Sequence, residues 1–404
     1  MNRTSTFLFV VIFSGIIWGC NTTDKKSGNF ISENLTNASQ QIGFQLDAIE
    51  KTGKILNPRT INKDGSTRYV RRQDWTSGFF PGTMWYMYEM TGNERWKDYG
   101  IKITESLDSV KYLTWHHDIG FMINCSYGNA YRLTGEKKYR DVLIEAAKSL
   151  STRFRPAAGV IQSWNTDRGW QAERGWMCPV IIDNMMNLEL LFKATELTGD
   201  SAFYNIAVSH ADATLKNHFR EDYSSWHVVD YDPVTGGVRG KYTAQGYSDD
   251  SAWARGQAWA LYGYTICYRE TQNPTYLAQA ENVAAFIFNN PNLPDDLVPY
   301  WDFDAPNIPN EPRDASAAAI IASALYELAS YSDNTESYIA KADNIMKSLS
   351  SPAYRANPGT NNYFILMHSV GSIPHNAEID VPLNYADYYF LEALCRKMNM
   401  KNNM

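Results

Sequence analysis

The sequence lacks the short motifs on which several enzyme classes depend. It contains no Gly-x-Ser-x-Gly elbow, no glycine-rich nucleotide loop and no His-Glu-x-x-His pair. A serine-triad hydrolase, a phosphoryl transferase and a zinc protease therefore have no support. Positive charge is also scarce, because 37 Lys and Arg stand against 44 Asp and Glu and give a net charge of −7. This balance argues against a nucleic-acid-binding protein, so a few local cations must hold any anionic ligand.

Cysteine is rare, with five residues in 404 and no Cys-x-x-Cys pair, so a zinc ribbon has no support. Four of these residues are widely spaced among apolar or aromatic neighbours: Cys125, Cys178, Cys267 and Cys395. We expect buried free thiols, although an oxidising compartment would permit a disulfide.

The only strongly apolar run at the N-terminus, Phe7–Trp18, follows Arg3 and is too short to span a membrane. Such a segment is typical of a secretory signal peptide, here predicted over 1–19. The run ends in a sequence that resembles the lipobox of bacterial lipoproteins, with Cys20 as the residue to be lipidated. We expect a polar tether over 20–30 and a membrane-anchored lipoprotein in the periplasm.

Long alternating strand patterns are nearly absent, whereas one helical pattern recurs along the chain. An aromatic-rich helix, a short polar turn and an Ala-rich helix follow one another five times. The turns are Thr91–Asn93, Thr134–Glu136, Thr198–Asp200, Gln272–Pro274 and Asp333–Asn334. Further helices at Leu35–Lys51 and Ala386–Met398 complete about six pairs. Their irregular spacing favours a closed all-α toroid over an open solenoid, in a single domain over 31–404.

Two long inserts, Pro156–Pro179 and Asp222–Asp250, are polar and aromatic. In a toroid such loops gather at one mouth and shape a pocket. The segment Ser225–Arg239 also predicts a small β-hairpin, since a short apolar run leads into a turn rich in Asp, Pro and Gly.

Asp183 opens an apolar stretch and is the first candidate for chemistry. It is either a helix N-cap, which is the common role of such a carboxylate, or a functional acid. The apolar flanks predict burial, and burial would raise its pKa toward neutrality, where one group can both give and take a proton.

Asp118 follows two adjacent histidines, His116 and His117. Neighbouring side chains point in different directions, so a metal grip by the two histidines is weakly supported. Asp118 is either a loop-ending cap or a second carboxylate that holds sugar hydroxyls.

Arg255 and Trp259 share one face if their segment is helical. Together they offer a fork for a carboxylate and a plane for a sugar ring, or else a surface Arg over a core Trp. Trp75, Trp164, His227 and Gln245 are weaker candidates individually.

At these residues the chain resembles the unsaturated glucuronyl hydrolases, family 88 of the glycoside hydrolases. The resemblance covers nearly the whole chain after the leader. It is carried by Asp74–Phe79, His116–Phe121, Ile161–Trp164, Ile181–Asn184, Trp253–Trp259, Tyr300–Phe303 and Ala386–Leu394. It implies an (α/α)6 barrel with no metal and no cofactor. The implied substrate is an acidic di- or oligosaccharide, sulfated or not, whose terminal uronate carries the C4=C5 double bond left by a lyase.

The resemblance also implies roles for individual residues. Asp183 corresponds to the general acid and base, and Asp118 to the second essential carboxylate. The remaining pocket corresponds to Trp75, Trp164, His227, Gln245, Arg255 and Trp259, with Arg255 as our choice for the substrate carboxylate. The insert after Trp164 is longer than usual and, with Lys241 and Met367–Ser372, is a candidate for selecting sulfated fragments.

Three other functions stay open at this point. An unsaturated rhamnogalacturonyl hydrolase would share the toroid but act on pectin fragments. A lipid-anchored glycan-binding protein would use the tryptophans without turnover, and a toroidal lyase would form the double bond rather than consume it.

Overall fold

The computed structural model describes residues 22–402, so the predicted signal peptide and Cys20 lie outside the described residues. The α-helices are α1 (Thr22–Glu50), α2 (Phe79–Thr91), α3 (Glu94–Glu105), α4 (Ile119–Ile123), α5 (Asn129–Thr134), α6 (Lys137–Ser151), α7 (Gly169–Glu173), α8 (Leu188–Thr198), α9 (Ser201–Asn217), α10 (Ala254–Thr271), α11 (Pro274–Asn289), α12 (Ala315–Leu328), α13 (Thr335–Leu349) and α14 (Asn384–Asn402). Within this part of the chain, no helix has the length and apolar character needed to cross a membrane.

The helices form a closed double ring, the (α/α)6 barrel. The inner ring consists of α2, α4 with α5, α8, α10, α12 and α14, and it closes because α14 packs against α2. Helices α3, α6, α9, α11 and α13 each lie outside the inner helix that precedes them, and α1 completes the outer layer. Both α10 and α12 are buried over most of their length, as expected for helices enclosed on all sides.

The polar turns between paired helices have the predicted capping chemistry. Gly92 and Gly199 end α2 and α8 in the left-handed conformation, at φ values of 64° and 75°, which glycine adopts without strain. The next residue caps the following helix, because the side chains of Asn93 and Asp200 accept bonds from backbone amides in the first turn. These turns set the antiparallel pairing of neighbouring helices.

Three segments differ from the expected pattern. The second inner helix begins at Ile119, and a single π-helical turn at Asn124–Gly128 separates α4 from α5. The third inner helix, α8, is preceded by a 3₁₀ helix over Ile182–Asn187, where we expected α-helix from Met185. Helix α1 begins at Thr22, so the described part of the stretch 20–30 is helical rather than an irregular tether.

The prediction of one β-hairpin is correct but incomplete. The strands are β1 (Asn57–Ile61), β2 (Thr67–Val70), β3 (Phe154–Arg155), β4 (Val160–Ile161), β5 (Cys178–Ile181), β6 (Val228–Tyr231), β7 (Val238–Tyr242), β8 (Ser369–Ser372) and β9 (Ala377–Val381). The predicted hairpin is β6–β7, and β5 adds to it to form a three-stranded antiparallel sheet. Three further antiparallel pairs occur, and their strands of two to five residues are too short for alternation to reveal.

The four cysteines of the described chain are buried and free, as predicted. They lie apart within the helical core and the three-stranded sheet, so stability in this part of the chain rests on apolar packing rather than on disulfides.

Candidate active site

A cavity of about 400 Å³ opens among the loops at one mouth of the barrel. It is lined by Arg59, Trp75, Asp118, Phe121, Trp164, Trp170, Gln171, Ile181, Asp183, Ala244, Gln245, Arg255, Gly371, Ser372, His375, Ala377, Glu378 and Tyr385. Both long inserts contribute to this wall, as expected. Six of the eight residues named from the sequence line the cavity, and the other two, His227 and Trp259, lie behind it.

Asp183 lies where strand β5 leads into the 3₁₀ helix at Ile182–Asn187. Strand β5 pairs with β6 on one side. At its end, the hydroxyl oxygen of Ser163 accepts a hydrogen bond of 3.0 Å from the backbone amide of Ile181. No side chain caps this helix, so capping does not account for the carboxylate. The turn from strand to helix instead directs Asp183 into the cavity.

Asp183 is 8% exposed, and its Oδ2 atom has no hydrogen-bond partner among residues 22–402. Burial raises its pKa from 3.8 to about 7, against the opposing effects of the Arg255 charge and the Trp259 indole N–H. A carboxyl with a pKa near 7 and an unoccupied oxygen can act as a proton donor and as an acceptor at neutral pH.

His227 lies beside Asp183, with its Nε2 atom 3.8 Å from Oδ2 of the carboxyl. Burial lowers the pKa of His227 well below 6.5, so the ring is neutral. Its Nδ1 atom accepts bonds from the backbone amides of Ala244 and Gln245, each at 3.1 Å. The single ring proton is therefore on Nε2 and points toward Asp183, across a gap too long for a direct bond.

Asp118 lies at the start of α4 and is also 8% exposed. Its carboxyl accepts a long bond of 3.4 Å from the Asn187 amide, and His117 Nε2 lies 3.3 Å away. Burial and the nearby Asp183 charge raise the pKa of Asp118 to about 8. Two buried carboxyls that disfavour each other's ionisation share the cavity wall, so at neutral pH they retain protons that exposed aspartates would lose.

Gly120 explains how Asp118 reaches this position. A Cβ atom on Gly120 would lie 2.5 Å from Oδ1 and 2.6 Å from Cα of Asn187, so any side chain would push α4 away. The close approach lets Asn187 accept a bond from the Phe121 amide at 3.0 Å while donating to Asp118. One asparagine thus fixes both the helix start and the carboxylate.

Arg255 is 1% exposed and much of its guanidinium is already occupied. Nη1 donates to Asp314 at 2.9 Å and to the Val370 carbonyl, and Nη2 donates to the Gly371 carbonyl at 2.6 Å. Arg255 therefore anchors strand β8 at the cavity, and it presents to a ligand only the donors that these bonds leave unused. This restricts the free fork expected from the sequence.

The tryptophans take two different positions. Trp75 packs against Tyr385 at 5.0 Å and Phe121 at 5.7 Å between ring centroids, and leaves one surface on the cavity. Trp164 stacks on Trp176 at 6.0 Å and 16°, so its orientation is fixed from behind. Trp259 is completely buried and packs against Phe121 and Tyr389, at 5.0 and 5.5 Å between ring centroids, so it supports the cavity from behind rather than meeting a sugar ring.

Several cavity residues carry no recognisable sequence signal. Arg59 is bound by both oxygens of Glu378, at 2.6 and 2.7 Å, and by Asp74 at 3.0 Å, so its charge is largely compensated. His375 bonds the Ser372 hydroxyl at 2.7 Å and lies against Trp170. Arg59 and Glu378 are 319 residues apart, and Trp170 and His375 also come from distant segments, so neither motif nor spacing reveals these contacts.

The residues proposed to select sulfated fragments lie partly on the cavity wall and partly away from it. Gly371, Ser372 and Trp170 line the cavity, whereas the Lys241 ammonium lies 3.7 Å over the Trp226 ring and outside it. The hairpin β6–β7 thus turns the Lys241 side chain toward Trp226 rather than onto the cavity wall. Among residues 22–402, no three His, Cys, Asp or Glu side chains are grouped to hold a metal ion.

Comparison with known proteins agrees with this geometry. Residues 51–372 match the family described as Glycosyl Hydrolase Family 88. An unsaturated glucuronyl hydrolase of Formosa agariphila is 48% identical over 89% of this chain and 92% of its own. An unsaturated chondroitin disaccharide hydrolase of Streptococcus agalactiae is 31% identical over 91% of both chains. The crystal structure of an unsaturated glucuronyl hydrolase specific for heparin superposes with a TM-score of 0.88, at 45% identity over 93% of this chain and 98% of that one.

Proposed function

The chain belongs to glycosyl hydrolase family 88 and is a glycoside hydrolase of the unsaturated glucuronyl hydrolase class, and we propose that it acts on lyase-generated glycosaminoglycan fragments. It removes the 4,5-unsaturated uronic acid from their non-reducing end. The observation that carries this proposal is the buried Asp183 carboxyl, which lines the cavity and whose pKa is raised to about 7.

In the first step Asp183 donates its proton to C4 of the unsaturated ring. The electron pair of the C4=C5 bond forms the new C4–H bond, and the positive charge that develops at C5 is shared with the ring oxygen. The raised pKa of Asp183 supplies the protonated form near neutrality. Ionised Asp183 and the substrate carboxylate then both stabilise the developing positive charge.

In the second step water attacks C5 and Asp183 takes one of its protons. The neutral His227 directs its Nε2 proton toward Asp183 Oδ2, 3.8 Å away, and so favours the ionised carboxylate that takes this proton. The resulting C5 hemiketal opens to a ketone, which leaves C1 as a hemiacetal that bears the next sugar. Collapse of the hemiacetal to an aldehyde releases that sugar, so the anomeric carbon is never displaced directly.

Asp118 supports the reaction without exchanging the catalytic proton. Because the pKa of Asp118 is raised to about 8, it is protonated at neutral pH and can donate a hydrogen bond to a sugar hydroxyl. Its neutral state also avoids a second negative charge beside Asp183 when that residue ionises. The two aspartates thus have different roles because burial and mutual repulsion separate their behaviour.

One assay tests this proposal. The conjugated double bond absorbs ultraviolet light, so we expect the absorbance of heparin- or chondroitin-derived unsaturated disaccharides to fall on addition of the enzyme. A rise on intact polymer would instead indicate a lyase, and binding without any change would indicate a glycan-binding protein. Turnover of pectin-derived fragments alone would favour a rhamnogalacturonyl hydrolase.

The Asp183→Asn variant identifies the proton donor. We expect turnover to fall by at least about 10³-fold, because a positioned acid–base group commonly contributes 10²–10⁴-fold and this one handles two protons. Substrate binding should persist, since the amide keeps the shape of the cavity. Full activity in this variant would remove Asp183 from its role.

We propose that the substrates include sulfated disaccharides. Ser372, His375 and Gln171 place hydroxyl, imidazole and amide groups on the cavity wall near Trp170, where they can donate hydrogen bonds to a sulfate oxygen. A panel of matched disaccharides with and without sulfate, compared by kcat/KM, measures this preference. Equal values across the panel would contradict it.

We also propose that the enzyme is exported to the periplasm as a lipoprotein anchored at Cys20. The support is the basic Arg3, the short apolar run Phe7–Trp18 and the lipobox-like ending before Cys20. Mass spectrometry of the mature N-terminus should find a lipid-modified Cys20. The variant Cys20→Ala should move the enzyme from the membrane fraction to the soluble fraction, and an unchanged distribution would refute the anchor.

A further inference from the structure

A second concave surface adjoins the catalytic cavity on the side of Trp75. This groove measures about 670 Å³ and lies between strand β2 and the segment that leads into α4. It is lined by Arg68, Tyr69, Val70, Arg71, Gln73, Asp74, Trp75, Leu113, Trp115 and His116. Trp75 lines both the groove and the cavity, so the two adjoin at this side chain.

The groove carries positive charge in a protein whose net charge is −7. Arg71 is exposed and has no ion pair within the described part of the chain. Arg68 approaches a carboxylate only at 3.5 Å, and that carboxylate, Glu378, is already bound by Arg59 at 2.6 Å. Asp74, the acidic residue of the wall, is paired with Arg59 at 3.0 Å. The excess charge is therefore available to an anion.

Two aromatic side chains of the groove are exposed to solvent rather than packed in the core. Trp115 is 52% exposed and Tyr69 is 37% exposed, although both are large apolar residues. Trp115 lies against the His116 ring at 5.2 Å, which holds it at the edge of the groove. Flat amphipathic rings beside arginines suit a ligand that has both pyranose faces and acidic groups.

We propose that this groove is an extended subsite for the distal sugars of acidic oligosaccharides longer than a disaccharide. The inference rests on the proposed function, because the unsaturated terminus must occupy the cavity while the rest of the chain runs along Trp75 to Trp115. A concave wall with two aromatic rings fits a sugar chain better than it fits the flat surface of an anionic membrane, which is the main alternative for exposed arginines. The uronate or sulfate groups of the distal sugars would meet Arg68 and Arg71.

The test compares a lyase-generated unsaturated tetrasaccharide with the corresponding disaccharide. We expect wild-type enzyme to show a higher kcat/KM for the tetrasaccharide. Trp115→Ala and Arg71→Gln should lower the tetrasaccharide-to-disaccharide ratio by about two- to fivefold, with most of the change in KM. An exposed contact is worth at most about 1 kcal/mol, which corresponds to a factor of about five. Added salt should weaken the tetrasaccharide preference more than disaccharide turnover.

Two controls match the variants. Lys63→Gln removes an exposed cation from the turn between β1 and β2, and Tyr112→Ala removes a 61% exposed aromatic ring from the segment before Trp115. Neither residue lines the groove, so neither change should alter the ratio. Equal kcat/KM values for the two substrates in wild type, or equal losses on both in the groove variants, would overturn the proposal.

A binding measurement separates this proposal from the proposed function. Calorimetry with the tetrasaccharide on Asp183→Asn, with and without Arg71→Gln, reports the groove without requiring turnover. A weakened affinity with the added Arg71 change supports the groove even if wild type turns over no unsaturated substrate, which would refute the function alone. Arg71-dependent retention on anionic lipid vesicles, together with unchanged tetrasaccharide affinity, would assign the arginines to a membrane and overturn the groove.

Discussion

Replacing Asp183 with Asn should make the enzyme more stable at alkaline pH while abolishing turnover. In the folded protein burial raises the pKa of Asp183 from 3.8 to about 7, so the folded state favours the protonated carboxyl. The unfolded chain releases that proton at a much lower pH. Between these two values the folded state binds more protons than the unfolded state, so stability falls as pH rises. An asparagine carries no such cost.

The size of the effect follows from the two pKa values. A rise from 3.8 to about 7 corresponds to about 4 kcal/mol, at about 1.4 kcal/mol for each pH unit. About 3 kcal/mol of this develops between pH 5 and pH 8, and the penalty is nearly constant at higher pH. The Asp183→Asn variant should therefore gain about 3 kcal/mol relative to wild type between pH 5 and pH 8.5. Loss of the Asp183 charge also favours ionisation of Asp118, which adds to the gain.

Urea unfolding of wild type and Asp183→Asn at pH 5 and pH 8.5 measures the difference in their free energies of unfolding. The variant should be inactive at both pH values. Asp98→Asn is a suitable control because Asp98 is exposed on α3. This substitution should change the free energy of unfolding by the same amount at both pH values. A stability difference between wild type and Asp183→Asn that does not depend on pH would refute the reasoning. It would mean that the carboxyl is hydrated or paired in the folded enzyme rather than buried without a partner.

The remaining predictions concern the surroundings of the two aspartates. The kcat/KM of wild type should decline above pH 7, because the first step needs protonated Asp183, and a profile that keeps rising to pH 9 would contradict this. Asp314→Asn should destabilise the protein by about 3–5 kcal/mol in urea unfolding, since Arg255 is then a buried charge without its partner. Gly120→Ala should lower kcat by at least tenfold, since a Cβ 2.6 Å from Cα of Asn187 displaces Asp118, and wild-type kcat there would argue against that contact.

The sequence predicts the frame of this enzyme well because the frame is built from local signals. Helix turns such as Thr91–Asn93 combine a residue suited to positive φ with a capping residue, and both act within a few positions of the chain. The small sheets were largely missed for the opposite reason. Strands such as β3, with two residues, take their structure from a partner elsewhere rather than from their own pattern.

The candidate site shows the same division between local and distant causes. Asp183 and Asp118 were identifiable because each stands in a distinctive local sequence. The state of Arg255 was not, because it depends on Asp314 and on the carbonyls of β8, which lie 59 to 116 residues further along the chain. The same holds for Arg59, whose partner Glu378 is 319 residues away. Charge on a residue can be read from the sequence, but whether that charge is already compensated cannot.

This distinction changes how the anionic substrate is held. Both arginines of the cavity are compensated, Arg255 by Asp314 and Arg59 by Glu378 and Asp74, so neither presents a full free charge to the terminal uronate. A strong free cation would also hold Asp183 ionised, since an adjacent positive charge lowers the pKa of a carboxyl. Partial compensation therefore allows Asp183 to keep its proton while leaving N–H donors for the uronate. The uncompensated positive charge lies instead at Arg71, on the far side of Trp75, where it can attract the distal part of an acidic chain without lowering the pKa of the acid.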